Sequence, residues 1–538
     1  MLRYHAPVFR ANWVNTALLP FSRYSLLLGL WFAGVTAVVF LAQTWPYWHG
    51  RLLLAGSHAD GPFHFYVELS RLSPELFKKD LAVQSNQALG AYEYFYHCVG
   101  WLVKATGWPL LKANLVLCWA ANTVYLAGVF LLLARLGLSP CCCAIGTLLA
   151  AQPFVLIAMA SGVAHSLAIP REVWLWPLPW FVMWFLCGSR DHASLLLFYG
   201  ALGAVYALTY PLWAMLFGLA FGLVDLVKIL QTKHYENLFW LGAAAVLCLT
   251  LVVAPSLATL HAVRGEASAV LDYNRISRSV YFTKGFRRLI LFGLAGCGAL
   301  FLLSQQLKGL PAPWERLGIL LGVTIAICFI YEPIQRLVPT LSLTYPGRLS
   351  LVAYLASVIA VAGCLYFCWG HFPTWGKALV SIGLLAMVLD PQRALLKELR
   401  EQSPAVQPEF IEFCGQVKER TPIEALLIVP PVAGGHYFRV YAERGLWINP
   451  KDIGVLSRNR ELYARALERL QALNSFYAGS ATLSERESIL AKLSAEKVDY
   501  VVTRANENGT RRLSWPVIFH YGSWELRAPP VARQELQP

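Results

Sequence analysis

Charged residues are scarce in this sequence. Asp, Glu, Lys and Arg make up only 14% of the 538 residues, whereas 57% are hydrophobic; soluble domains typically carry ~25% charged residues. Apolar stretches of about 20 residues recur along the chain, the length that a ~30 Å hydrocarbon layer requires. The composition therefore excludes an ordinary soluble protein and predicts a polytopic α-helical membrane protein.

Paired cysteine motifs are also absent. The chain has twelve cysteines, but most lie inside apolar stretches, where a thiol behaves as a small hydrophobic group. The polar C-terminal part contains Cys414 alone, which excludes an internal disulfide there. No CxxC pair or His/Cys cluster has the spacing of metal ligands. No metal ligand is therefore predicted and the cofactor is unknown: a divalent metal is compatible with the sequence but not indicated by it.

Nucleic-acid and nucleotide signatures are missing as well. The net charge is +14, but no basic run with interleaved aromatic residues lies outside the apolar segments, so we expect no nucleic-acid partner. There is no Walker loop, GxSxG elbow or Rossmann fingerprint. The excess of Lys and Arg is typical of membrane-protein loops, where cations orient helices and contact anionic membrane lipids.

The apolar segments predict about eleven membrane helices. They are 24–44, 109–134, 139–160, 172–188, 194–210, 211–230, 238–259, 288–306, 316–332, 349–369 and 377–391. The shorter aromatic segment Tyr94–Gly107 predicts an interfacial or half-buried helix. We predict a transmembrane domain over residues 1–392 with a first outer loop at 45–108, and a soluble domain over 393–538.

Basic residues in the short loops predict the orientation. Arg3, Arg10 and Arg23 precede the first helix, which predicts that the N-terminus lies in the cytoplasm. Alternation then puts on the cytoplasmic side Arg135, Arg190, Lys228, Lys233, Lys308, Arg316 and Lys377. The outer side receives 45–108, 161–171, the turn at Tyr210–Pro211, 260–287, 333–348 and the C-terminal domain. The many cations of 260–287 are unusual outside, so either a helix is miscounted or they bind an anion.

The C-terminal part is predicted to form a small α/β domain. Its predicted helices are Glu409–Glu419, Arg458–Leu473 and Ser484–Glu496. Its predicted strands are Ala425–Pro430, one or two strands within Tyr437–Ile448, Asp499–Thr503 and a closing segment Phe519–Arg527. Gly434–Gly435 is interpreted as a hairpin turn.

Candidate functional residues lie in the outer segments, because only that side collects irregular polar elements able to form a walled site. Asp60, in the first outer loop, is a candidate general base, since a partly desolvated carboxylate gains basicity; alternatively it caps a helix that begins near Pro62. Asp80 is a candidate second carboxylate in the same cavity as Asp60, or an ordinary solvated residue. His58 and His64 are additional candidates for metal or phosphate binding, or ordinary interfacial histidines, since their spacing matches no specific metal-site template.

The later outer segments supply cations. Arg171, with His165 before it, is a candidate phosphate clamp, an interfacial anchor or a partner of Glu172. Arg348 follows Tyr345 and Pro346–Gly347 and opens a helix. A guanidinium at a helix N-terminus opposes the helix dipole, and a bound anion would offset this; an ordinary interfacial arginine is the alternative.

Together these elements resemble the GT-C glycosyltransferases. The resemblance rests on HADGPFHFY in the first loop, IPREVW before the fourth helix, LTYPLW at an outer turn, and YPGR before the tenth helix. The tail segments RTPIEALLIVPP, FRVYAERGLWIN and KVDYVVT resemble the terminal domain of bacterial members of unassigned activity. Many members carry two closely spaced acids in the first loop, whereas here Gly61 and Pro62 follow Asp60.

The resemblance implies a GT-C-like membrane domain in a bacterial inner membrane, with a C-terminal extracytoplasmic domain. It implies transfer of a sugar from a polyprenyl-phosphate donor to a lipid, glycan or protein acceptor. The family's catalytic acid falls on Asp60, and its phosphate-binding cations fall on Arg348 and Arg171. Two alternatives remain open: a transporter or flippase for a lipid-linked or anionic solute, and a non-catalytic scaffold in envelope polysaccharide assembly.

Overall fold

The computed structural model describes residues 60–87, 93–152, 155–156, 159–160, 173–263, 288–337, 346–386, 408–431, 435–456, 460–505 and 513–530. Within these ranges, six helices are long and apolar enough to cross a membrane. They are Leu110–Arg135, His192–Thr209, Pro211–Thr232, Arg288–Gln306, Ala312–Tyr331 and Gly347–His371. Each coincides with a predicted segment. Asn237–Val263 is also helical, as predicted, and Thr374–Ala386 is a shorter apolar helix. The predicted segment 24–44 lies outside the described residues.

Two predicted membrane helices are shorter than expected. Instead of spanning 139–160, the helix Pro140–Ala150 ends early, and β1 (Val155–Leu156) pairs antiparallel with β2 (Met159–Ala160). Pro153 explains this, because proline disfavours helical geometry in the residue before it and has no amide to donate. The other shortened helix was predicted over 172–188 but covers only Leu178–Cys187, and it begins at a proline-rich turn.

Contacts near the helix ends sort those ends into two groups. At one end, Arg190 pairs with Asp225 and Lys228 pairs with Glu315. At the other end, the Tyr354 hydroxyl donates to the Leu149 carbonyl at 2.5 Å. The grouping follows the predicted alternation of loops. Which end faces the cytoplasm stays a prediction.

Three short helices precede the first long described helix. Asp60–Leu72, named here the loop helix, is followed by Leu81–Gln87 and by Glu93–Thr106. The last of these confirms the predicted interfacial or half-buried helix, since it buries Phe95 and Val99 and exposes Trp101. It packs against the helices Leu110–Arg135 and His192–Thr209. The loop helix contacts this helix and therefore also lies at the end of the membrane bundle.

The C-terminal domain is built on a five-stranded mixed sheet of order β4-β3-β5-β7-β6. The strands are β3 (Leu426–Ile428), β4 (Gly445–Leu446), β5 (Tyr500–Arg504), β6 (Val517–Tyr521) and β7 (Trp524–Arg527). β3 is parallel to β4 and β5, whereas β7 is antiparallel to β5 and β6. The longer helices are Pro408–Arg420, Arg460–Tyr477 and Leu483–Ala495. These elements confirm most of the predicted α/β pattern.

The region Tyr437–Ile448 was predicted wrongly in part. Gly435–Tyr441 is a helix, and only Gly445–Leu446 is a strand. Gly435 consequently begins a helix and is not part of a hairpin turn. The aromatic and β-branched residues of this segment favour strands by composition, but here they pack on the loop helix, and that tertiary contact decides their conformation.

The loop helix and the C-terminal domain share one hydrophobic core. Phe65 and Tyr66 of the loop helix belong to the same buried cluster as Phe410, Tyr437 and Phe438 of the domain. Phe410 and Phe438 are in edge contact, with ring centroids 6.0 Å apart. The domain therefore does not close its core alone, because part of that core is supplied by the first loop.

Candidate active site

The loop helix presents a polar stripe that begins at Asp60. Asp60 is the first residue of the helix, and His64 and Glu68 follow at intervals of four, so the three positions share one helix face. The His64 Nδ1 lies 2.8 Å from the Tyr96 hydroxyl. The side chain of Asp60 and all of His58 lie outside the described residues. The stripe is visible in the sequence only once the helix is known to start at residue 60.

Glu68 is a buried carboxyl that the sequence-based list of candidates missed. It is 2% exposed and its Oε2 accepts a hydrogen bond from Asn114 Nδ2 at 2.5 Å, with Asn114 itself 1% exposed. Burial raises the pKa of Glu68 well above its usual value, and the hydrogen bond from Asn114 opposes this rise only in part. The neutral acid is thereby favoured. The spacing of four from Asp60 and His64 was the only signal that could have found it.

The opposite face of the loop helix carries an arginine centre. Arg439, from the helix Gly435–Tyr441, is fully buried, and its guanidinium lies 4.7 Å from the centre of the Tyr66 ring. It donates from Nε to Asp80 Oδ2 at 2.7 Å and from Nη2 to Asp80 Oδ1 at 3.0 Å. It also donates to both carboxylate oxygens of Asp452, at 2.8 Å each. One cation thus holds two buried anions.

Asp80 is placed in this centre, not in an open cavity. Its Oδ1 also accepts the backbone amides of Ala82 and Val83, and its Oδ2 accepts the amide of Leu446 at 2.8 Å. A carboxylate with every oxygen engaged serves to join the first loop, the helix Gly435–Tyr441 and strand β4. Burial raises the pKa of Asp452, against the lowering influence of Arg439. The geometry favours a structural role for Asp80.

Arg348 lies at the same end of the bundle as the loop helix. It is 7% exposed, on the 3₁₀ turn Pro346–Leu349 that leads into the helix Ser350–Cys368. It donates a hydrogen bond to the Tyr210 hydroxyl, and its guanidinium carbon lies 5.4 Å from the centre of that ring. Tyr210 immediately precedes the helix Pro211–Thr232. The structure therefore brings together the LTYPLW and YPGR motifs, which the sequence analysis named separately.

The remaining candidates fall outside the described residues: His165, Arg171 and Tyr345, as does the basic segment 264–287. Whether Asp60 and Arg348 line one cavity stays a prediction. No group of three or more His, Cys, Asp or Glu residues able to hold a metal ion occurs within the described part of the chain.

The described part of the chain combines a bundle of membrane helices with a loop helix and an α/β domain at one end. Solved structures of ArnT from Cupriavidus metallidurans share this fold. The form bound to undecaprenyl phosphate has a TM-score of 0.51 and 15% identity over 94% of this chain and 98% of that chain. The apo form gives the same TM-score and coverage at 13% identity.

This similarity confirms the predicted GT-C-like fold. No family model and no curated protein matches the sequence. At 13–15% identity, the two structures establish the architecture of the chain; substrate and chemistry have to be argued from its own residues.

Proposed function

We propose that the chain is a GT-C-type glycosyltransferase that takes its sugar from a polyprenyl-phosphate donor at the outer face of the inner membrane. The observation that carries the proposal is the fold shared over 94% of the chain with ArnT bound to undecaprenyl phosphate. The acceptor is an envelope lipid, glycan or protein. The position of Arg348 beside Tyr210 supports the proposal independently of the fold.

Arg348 has the environment that a phosphate-binding cation needs. It is almost excluded from water, and a low dielectric strengthens its attraction for an anion. It stands at the N-terminal end of a long apolar helix, where backbone amides also favour negative charge. A polyprenyl carrier keeps its tail in the bilayer and its phosphate at the border, which is where a group on this turn would meet it.

The proposed reaction needs a base for the acceptor hydroxyl and an anion-binding site for the donor phosphate. The acceptor hydroxyl attacks the anomeric carbon and passes its proton to the Asp60 carboxylate. The bond from the anomeric carbon to the phosphate oxygen breaks, and the polyprenyl phosphate leaves with that electron pair. Arg348, together with Arg171, stabilises the charge that grows on the phosphate. The chain's own groups thus supply a base and an anion-binding site.

The direct test is an Asp60→Asn variant of the full-length protein, reconstituted in lipid vesicles with undecaprenyl-phosphate sugars and an envelope extract. We expect unchanged binding of undecaprenyl phosphate and loss of its release as a product, because the amide cannot accept the proton. Glu75→Gln is the matched control, since Glu75 is an exposed carboxylate of the same loop. Unaltered turnover in Asp60→Asn would remove the proposed base.

An Arg348→Gln variant separates donor binding from proton transfer. Removing one donor to a developing anion typically slows the chemical step about 100- to 1,000-fold, and here we expect weaker undecaprenyl phosphate binding too. Arg465→Gln, which changes an exposed arginine of the C-terminal domain, is the control. If wild-type protein binds the carrier lipid but never consumes a sugar donor, the chain is a scaffold and not an enzyme.

A further inference from the structure

An arginine cluster lies at the end of the bundle opposite Arg348. Arg190, just after the helix Leu178–Cys187, donates to Asp225 on the helix Pro211–Thr232. The same carboxylate accepts the Tyr199 hydroxyl at 2.9 Å. The Arg190 guanidinium also lies 4.8 Å from the centre of the Phe185 ring. Arg190 is thus held between three helices by one carboxylate and an aromatic face.

Arg316 enters the same place from a fourth helix. Its Nη1 donates to the Phe185 carbonyl at 3.4 Å, so both guanidiniums contact Phe185. Both also act electrostatically on the carboxylate of Asp225. The neighbouring Glu315 pairs with Lys228 instead. Within the described residues, Arg316 forms no ion pair of its own.

The cluster has hydrogen-bond donors in excess of its acceptors. Nε and Nη1 of Arg190 are buried and have no hydrogen-bond partner in the part of the chain that is described. Buried donors without acceptors are unfavourable, and two guanidiniums sharing one carboxylate in a region of low dielectric repel each other. An anion between Arg190 and Arg316 would relieve both costs. The planar guanidinium fork matches the oxygens of a phosphate group in particular.

We propose that Arg190 and Arg316 form a binding site for the phosphate group of an anionic membrane lipid. Exposed aromatic residues at this end of the bundle, Tyr235, Trp369 and Trp375, are of the type that lies at headgroup level. Basic sites between transmembrane helices commonly bind anionic headgroups. The site is separate from Arg348 and does not depend on the proposed sugar transfer. Free phosphate shares the same chemistry, and the experiment separates the two sources.

The test titrates detergent-purified full-length protein with dioctanoyl phosphatidylglycerol, and in parallel with the zwitterionic phosphatidylcholine analogue, and follows bound lipid by native mass spectrometry. We expect wild-type protein to prefer phosphatidylglycerol, and Arg316→Gln to bind it about tenfold more weakly because one charged hydrogen-bonding group is lost. Lys308→Gln removes the same charge from an exposed position at this end of the bundle and should leave the affinity unchanged.

Arg190→Gln alone would leave Asp225 buried without its cation, so a double variant R190Q/D225N is used. It keeps a hydrogen-bonding pair and should also lose the lipid preference. Equal affinity of phosphatidylglycerol for wild type, Arg316→Gln and the double variant would overturn the site. Binding of inorganic phosphate as tight as that of the lipid, and sensitive to Arg316→Gln, would overturn the lipid assignment in favour of a free anion.

Discussion

The two faces of the loop helix differ in how their buried charges are compensated. Towards the C-terminal domain, Arg439 is matched by the carboxylates of Asp80 and Asp452. Towards the membrane helices, the carboxyl of Glu68 has an amide partner, Asn114, and no cation among the described residues contributes to its pKa shift. A charge with ionic partners stabilises one arrangement, whereas a buried carboxyl without them is held in its neutral, protonated form. The face with the unmatched carboxyl is also the face that begins at Asp60.

The matched face should be the more costly to break. Arg439→Gln would leave two carboxylates buried beside each other, and removing one partner of a buried ion pair typically costs about 3–5 kcal/mol. We expect a large fall in the thermal unfolding temperature of the detergent-solubilised protein, with earlier proteolysis of the C-terminal domain. Arg439→Lys should recover only part of the loss, since lysine keeps the charge but not the two forked contacts.

Arg465→Gln serves as the control for this comparison, because Arg465 is exposed and lies 3.8 Å from Glu496. Its unfolding temperature should stay near that of wild type. Should Arg439→Gln unfold no earlier than Arg465→Gln, the first loop and the domain would not depend on the arginine centre for their association.

The sequence predicts the membrane helices well but not the contacts between distant residues that form the buried sites. Hydrophobic length locates helices such as Leu110–Arg135 and Pro211–Thr232 well, because a membrane span is a local property of composition. The arginine centre is invisible to such reasoning: Asp80 and Arg439 are 359 positions apart, and Asp80 follows two lysines like any solvated acid. The Arg348–Tyr210 contact joins residues 138 positions apart. Motifs indicate that both belong to an outer site, but only folding shows that they touch.

The buried carboxyl of Glu68, on the unmatched face, should make the stability of the folded protein depend on pH. Because burial raises the pKa of Glu68, the folded state binds a proton that the unfolded state releases, and stability is lost as pH rises above the ordinary glutamic acid pKa. The slope approaches about 1.4 kcal/mol per pH unit within the window below the raised pKa. We expect Glu68→Gln to be more stable than wild type at pH 8 and close to it at pH 5.

Thermal unfolding of wild type and Glu68→Gln across pH 5–8 measures this difference. Glu75→Gln, at an exposed position of the same loop, should give a curve parallel to that of wild type. A Glu68→Gln curve that is also parallel to wild type would mean that Glu68 does not hold an extra proton in the folded protein.

An exposed ion pair also joins the first loop to the C-terminal domain, and it should contribute much less stability than the buried arginine centre. Lys79 and Asp499 approach to 3.0 Å, but their side chains are 39% and 34% exposed. Asp499 also accepts the backbone amide of Leu426, so it keeps a partner when the lysine is removed. Water and salt screen such a pair, and Lys79→Ala should cost only about 0.2–1 kcal/mol. A loss near that of Arg439→Gln would show that the junction depends on its total charge and not on burial of the arginine centre. Added salt would then weaken the junction in wild type as well.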